Sequence, residues 1–497
     1  MSLTFSEWAA QRDTQKVYAA ELELARISDG ATLAVRLATH GGVWDGSNYY
    51  VPALLGLPSV QHRFQKLTSG RSLVGFGRLA IALDPQVEIT GGLSMDDLLA
   101  DYAWAGRPVT VRVGGPGLDW ASWGVVLAGY LGQPEFTEEE AQVPVLAKGE
   151  KLRQMEVPSN TYDSTFPAST VGRAKPLCWG WCYNVPPVLI DDTAWVFQVH
   201  DPAYGPIQAV DAVYIDGVQQ TSGYTVDLAQ GTVTFSADPQ GSVTLDVRGR
   251  VAGGSFLALP GEIIQDLLTT FAGYTTADLD TAAFSQFNAD MPYPVGLYLD
   301  HPRTIDAVID GLLNGLLCSF GVSRGGTFYL QRFSAPTGAA TLELSEVEIL
   351  DLRAEPEERI YWRARVGGER NWSPGGAPNN ASLAPDRREW LQDDYRWREA
   401  QDTTVQTLYP LAGETEHETL LKELADCATV AGWWLDLFGQ RRRVIGVTLK
   451  LQPLAVELGG VVQVTLDRFG LGSGWLGRVI EVKEDHLKSE VSLKLWG

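Results

Sequence analysis

The chain has 497 residues, which at ~150 residues per domain predicts three or four domains. Hydrophobic residues make up 45%, too many for a disordered chain, and 39 Lys+Arg against 61 Asp+Glu leave a net charge of −22. That balance argues against a dominant nucleic-acid groove or sequence-specific nucleic-acid binding, both of which need clustered positive charge, and against docking on anionic lipid.

The longest apolar runs fall well short of the ~20 residues of a membrane helix, so no membrane anchor is expected. Met1–Ala10 lacks the basic-then-apolar order of a secretion signal, which predicts folding in a cytoplasm. Four cysteines are too few for a disulfide scaffold and suit a reducing compartment. Fifty-two Gly and 26 Pro beside 16 Trp, 17 Tyr and 16 Phe predict many turns and large rings, the profile of a β-rich protein with short strands.

Residues 1–157 read as a β-rich domain. The stretch from Tyr18 to Ile27 alternates apolar and polar, Leu33–Leu37 follows, and Val109–Val113 runs into Gly114-Gly-Pro-Gly. One helix is predicted over Ser94–Ala103, with Ser94 as cap and Asp97 three residues on. Residues 158–199 read as a Pro/aromatic connector, bracketed by Pro158, Pro167, Pro176, Pro186 and Pro187. Residues 200–255 predict a small antiparallel β-domain whose strand Val210–Ile215 meets the hairpin dipeptide Asp216-Gly217.

Residues 256–366 predict an α/β portion. Pro260–Phe271 places Ile263, Ile264, Leu267, Leu268 and Phe271 on one helical face, and a second helix is predicted over Thr304–Ser319. Residues 367–390 read as a flexible Gly/Pro/Asn/Ser loop. Residues 391–497 predict a helix over Glu416–Val430 and then strands. Residues 441–497 hold nine Lys+Arg and six Asp+Glu, a local +3 that leaves −25 on the remainder. The fold class predicted is mainly β and multidomain, with a smaller α/β portion.

Catalytic signatures are absent: no nucleophile elbow, P-loop or dinucleotide fingerprint occurs. No two of the six histidines sit at i, i+4, and His417 in Glu414-Thr-Glu-His-Glu reads as a solvated helix start, with attraction of a cation as the alternative. Acidic pairs such as Asp96-Asp97 and Asp191-Asp192 are too common among 61 acids to single any out. Cys178, Cys182, Cys318 and Cys427 offer four thiolates, the number an iron–sulfur cluster takes, but their spacing matches no common ligand run. A disulfide between Cys178 and Cys182 is a further option. Trp179, Trp181, Trp195, Trp390 and Trp397 lie in segments with weak internal packing signals and are the candidate interface anchors; core packing is the alternative for all five, and sugar stacking is a further one for Trp195, Trp390 and Trp397, as for Tyr395, Trp433 and Trp434.

The segment Pro453–Leu471, then Gly477–Asp485 and Ser492–Gly497, resembles the C-terminal part of tail-tip or baseplate hub proteins of tailed bacteriophages, of siphophage or transposable-phage type. Lys175–Gly180, Asn184–Ile190, Gln198–Asp201 and Ala212–Val218 with Tyr224–Leu228 are similar to segments of tail-tip proteins. The resemblance implies a structural virion protein with β-barrel or sandwich domains. It would form a ring, commonly a trimer, at the tail tip, joining the distal tail and tail-tube proteins above to a central fibre or spike below, after assembly in the host cytoplasm. Some tail-tip relatives carry an iron–sulfur cluster; the cysteine spacing here does not carry that over. The alternatives are a carbohydrate-binding or cell-wall-degrading tail protein, a glycan or peptidoglycan hydrolase, and a hexameric distal tail protein.

Overall fold

A computed structural model describes residues 4–9, 15–65, 67, 70–355, 359–375, 382–450, 456–486, 488 and 490–497. Strands take 43% of the chain and helices 18%, in several sheets that include a half-barrel, so the protein is mainly β and multidomain.

The N-terminal sheet runs in the order Thr32–Ala38, Val17–Arg26, Pro108–Gly114, Gly124–Leu131, Glu140–Leu146, Arg78–Ala82, Leu54–Gly56. Its alternation is visible in one strand: Ala20, Leu22 and Leu24 are buried while Glu21 and Glu23 face water. Leu22 stands between Val35 and Val109 on its neighbours. The predicted cap forms: Ser94 Oγ accepts from Asp97 N, and Ser94 N donates to Asp97 Oδ2 at 2.8 Å, at the head of helix Met95–Asp101.

The expected connector supplies core strands instead. Leu177–Val185 is a central strand of a sandwich, and Val188–Asp191 is an edge of the facing sheet. Its prolines stand outside these runs, so they interrupt no ladder. Leu177–Val185 bends at Gly180, whose φ is +61°. Before the bend it pairs with Gly296–Leu299, and after it with Val243–Ala252. The Asp216-Gly217 turn joins Ile207–Ile215 to Val218–Gln220 with both residues at positive φ, as that dipeptide demands.

The bend needs glycine for two reasons. A Cβ on Gly180 would lie 1.9 Å from the Val295 carbonyl oxygen, and one on Gly296 would lie 1.7 Å from that of Trp181. Gly180→Ala combines backbone strain with a clash against main chain, so it is expected to lower stability by roughly 2–4 kcal/mol. A urea midpoint within error of the parent protein would refute this account of the bend.

The central core gathers helices Pro260–Asp266, Thr281–Asp290, Ile305–Leu313 and Leu424–Phe438 around strands Cys318–Val322 and Phe328–Arg332. Two predicted helices are corrected. The helix expected over Thr304–Ser319 ends at Leu313; Gly315 at φ +73° stops it, and Cys318 opens a strand. The helix expected from Glu416 begins at Leu424. Gly413–Glu418 is a strand, parallel to Tyr361–Gly368, because Glu414 and Glu416 pair with Arg363 and Arg365 there.

Tyr361–Gly368 is the centre of a three-stranded sheet with Arg396–Gln401 on its other side. The expected loop 367–390 contains the end of that strand and the start of helix Pro385–Gln392, while residues 376–381 lie outside the described residues.

The C-terminal sheet runs Leu342–Leu344, Val461–Val464, Trp475–Asp485, Glu490–Trp496, Val444–Lys450, Ile349–Glu355. An N-terminal hairpin, Val60–Phe64 with Ser72–Phe76, joins it by pairing along Glu481–Glu484. Beside this junction Arg324 is buried: its Nη1 donates to both Glu484 carboxylate oxygens at 2.8 and 2.9 Å, and its Nε lies 2.6 Å from Glu457. His486 contacts Glu484 and, through Nδ1, the Tyr18 hydroxyl at 3.2 Å. Three parts of the chain therefore meet at one buried polar cluster.

Candidate interaction surfaces

The five tryptophans separate into two environments. Trp179 is wholly buried: its indole Nε1 donates to Asp266 Oδ2 at 2.8 Å, Arg250 holds the same carboxylate, and Phe271 meets the ring edge-on. It offers no surface to a partner, which corrects the expectation for it. The bend at Gly180 turns it inward, a consequence of sheet pairing that local spacing does not reveal.

The other four are half-buried. Trp181 lies under Lys422 Nζ, 3.8 Å from the ring centre, with Arg248 at 5.1 Å. Trp195, at φ +54°, packs its ring on the sandwich core. Trp390 lies between Arg387 at 4.5 Å and Arg396 at 4.1 Å; Trp397 lies beside Arg365 at 5.1 Å. Arg387 also covers Tyr214, and Arg370 lies 3.9 Å from Trp372 and 5.7 Å from Tyr395. A band of guanidinium groups against rings thus runs across the three-stranded sheet and its flanks, each contact worth about 0.5–1 kcal/mol where water reaches it. Guanidinium groups already occupy ring faces that a sugar would need. The missed signal was the arginine next to the aromatic: Arg370-Asn-Trp372, Arg387 with Trp390, Arg396-Trp397.

The four cysteines do not converge. Cys178 and Cys182 belong to the sandwich core, brought together by the bend, and Cys182 Sγ donates to the Trp179 carbonyl at 3.3 Å. Cys318 and Cys427 belong to the central core, on a strand and a helix respectively. All four are free and buried; burial pushes the Cys427 thiol up to about 12 and raises that of Cys318 as well. Among the described residues no group of three or more His, Cys, Asp or Glu is placed to hold a metal ion. His417 is not a solvated helix start: it stacks on Trp434, with ring centres 3.7 Å apart, and burial lowers its pKa to about 4.

One cleft of about 460 Å³ opens between Gln65, the end of helix Ile305–Leu313, and the three-stranded sheet. Asp310, Asn314, Arg370, Tyr395, Glu418 and Leu420 line it. Burial raises the pKa of Asp310, but Arg71 holds this carboxylate together with Asp306 in an ion-pair cluster, so it is a tied acid. A second depression, of about 310 Å³, lies against edge strand Ile349–Glu355 beside Phe469. Phe469 sits at φ +58° in the middle of the loop between Val461–Val464 and Trp475–Asp485, its carbonyl held by Arg443 at 2.6 Å and its side chain 60% exposed. Trp44 and Leu411 are also exposed, at 59% and 93%. No helix among the described residues is long and apolar enough to cross a membrane.

No family model matches the chain, and no curated protein does. Among solved structures it is similar to a chain in the virion of a native gene transfer agent particle, at 13% identity and a TM-score of 0.43, covering 70% of this chain and 91% of that one. It is also similar to a tail protein from Neisseria meningitidis MC58, at 12% identity and a TM-score of 0.38, covering 97% and 96%. The 43 kDa tail protein of prophage MuSo2 from Shewanella oneidensis aligns at 11% identity and a TM-score of 0.38, covering 96% and 97%.

Proposed function

We propose that this chain is a structural protein of a phage tail, and within the tail the subunit of a hub ring at the distal end. There it would join the tube and distal tail proteins to a central fibre or spike. One observation carries the reading: the C-terminal sheet ends in two strands, Leu342–Leu344 and Ile349–Glu355, each with a single partner among the described residues. An open edge is a row of unpaired main-chain donors and acceptors, suited to completion by another subunit. Exposed Phe469 and Leu350 lie beside or on the second edge.

The role is assembly, without a chemical step. Copies would associate by burying these edges and apolar tips, with a trimer favoured. Covered ring faces weigh against the carbohydrate-binding and cell-wall-degrading alternatives.

Native mass spectrometry of the purified chain, alone and with its neighbouring tail proteins, tests this. Three copies in a closed ring are expected. Six would favour the distal tail protein, and a chain that stays monomeric in every mixture would end the assembly reading.

A further inference from the structure

Arg370 is held in place without a carboxylate from any described residue. Its guanidinium lies between Trp372 and Tyr395, at 3.9 and 5.7 Å, and has no hydrogen bond or ion pair with any described residue. It faces the 460 Å³ cleft, within the range of about 300–1,000 Å³ typical of ligand sites. A guanidinium held against aromatic rings, without a competing ion pair among the described residues, keeps its donors available for a carboxylate and loses little freedom on binding one. Leu420, only 6% exposed, supplies an apolar wall, while Asn314 and Gln65 supply amides.

The chain itself carries a complementary shape. Short strand Glu135–Phe136 and strand Glu140–Leu146 form a hairpin that presents Phe136, 66% exposed, next to Glu138 and Glu139. Glu135 is tied to Arg78, but Glu138 and Glu139 have no ion pair with any described residue. The hairpin belongs to the N-terminal sheet and the cleft to the central part of the chain.

We infer that the Arg370 cleft of one copy receives the acidic Glu135–Glu140 hairpin of a second copy, with Glu138 or Glu139 on Arg370 and Phe136 against Leu420. This rests on the reading of the chain as a self-assembling subunit and names a contact between copies beyond the open sheet edges. Because knob and hole are different surfaces, the contact is head-to-tail, the type that gives a ring when its rotation closes and an open filament when it does not. Asp310 is ion-paired with Arg71, which it shares with Asp306, so its charge on the incoming acid is reduced, and Glu418 is exposed at the rim, where solvent and salt screen it.

Sedimentation equilibrium of the full chain tests the contact. Arg370→Glu and, separately, Glu138→Lys with Glu139→Lys should each weaken self-association by at least about tenfold, and the combination should recover most of it. The glutamates are exposed, so their replacement leaves the fold intact by far-UV circular dichroism even if Arg370→Glu does not. Wild type that associates no more strongly than both sets of variants would overturn the contact and leave the ring reading standing. Association lost in the separate variants and not recovered in the combination would also overturn it. A wild type that remains monomeric would overturn both.

Discussion

Arg324→Ala is expected to destabilise the protein by about 3–5 kcal/mol, the cost of leaving the buried Glu484 carboxylate without its cation. Arg324 and Glu484 side chains are only 7% and 2% exposed, so water cannot take over the lost contacts. Burial acts to raise the Glu484 pKa, but the close approach of His486 and the charge and hydrogen bonds of Arg324 outweigh it and hold it at about 2. Burial raises Glu457, repulsion from Glu484 adds to this, and Arg324 opposes both. Removing the arginine therefore strands Glu484, while Glu457, with half its side chain exposed, can turn to water. The effect should appear as a lower urea midpoint, monitored by tryptophan fluorescence. Pairing Arg324→Met with Glu484→Leu should recover much of the loss, because the most deeply buried charge that required the cation is gone. A single-variant loss under about 1 kcal/mol would show that the cluster does not hold the junction.

Acid should unfold the chain steeply below about pH 6, through histidines that are neutral when folded. Burial lowers His62 and His200 to about 3, with the charges of Arg324 and Arg250 adding to it, and burial lowers His417 to about 4. Geometry agrees for His200, whose Nδ1 accepts from the Cys178 main-chain N–H at 3.1 Å and so has no place for a proton. The sign follows from these depressed values. Above about 6.5 both folded and unfolded histidines are neutral and the full stability is present. Between there and 3–4 only the unfolded chain takes the protons, so stability falls as pH falls, by about 1.4 kcal/mol per unit for each histidine. Three together lose roughly 4 kcal/mol per unit until the folded groups titrate. The Asp246 carboxyl, raised by burial, acts in the opposite sense just above its ordinary range and blunts the slope there. Urea midpoints from about pH 7 to about pH 4.5 measure this, and His200→Asn should flatten the curve. A flat profile over that range would contradict the neutral, buried histidines.

Local features were legible wherever a single segment carried its own reason to fold. Ser94 and Asp97 cap a helix because the two side chains answer each other's main chain within one turn. Asp216-Gly217 makes a hairpin because its residues tolerate positive φ. The mainly-β class follows from abundant rings and turn residues, and the helix carrying Ile263 and Leu267 from its spacing. Local reasoning failed at Glu414, Glu416 and Glu418. Acids just ahead of an apolar helix read as its charged first turn, and only the neighbouring Arg363 and Arg365 make them a strand.

Long-range choices came from the tertiary structure alone. That Trp179 is core while Trp181 is half-buried depends on which strands pair on either side of Gly180. That residues 60–76 complete a sheet built from residues 342–496 depends on a register spanning most of the chain. The band of arginines against aromatic rings depends likewise on cross-strand neighbours. Composition and short-range periodicity encode propensity and amphipathic faces, which act over a few residues. Partner choice between distant strands is decided by the burial and charge pairing of the whole assembly of sheets, and no local pattern contains it.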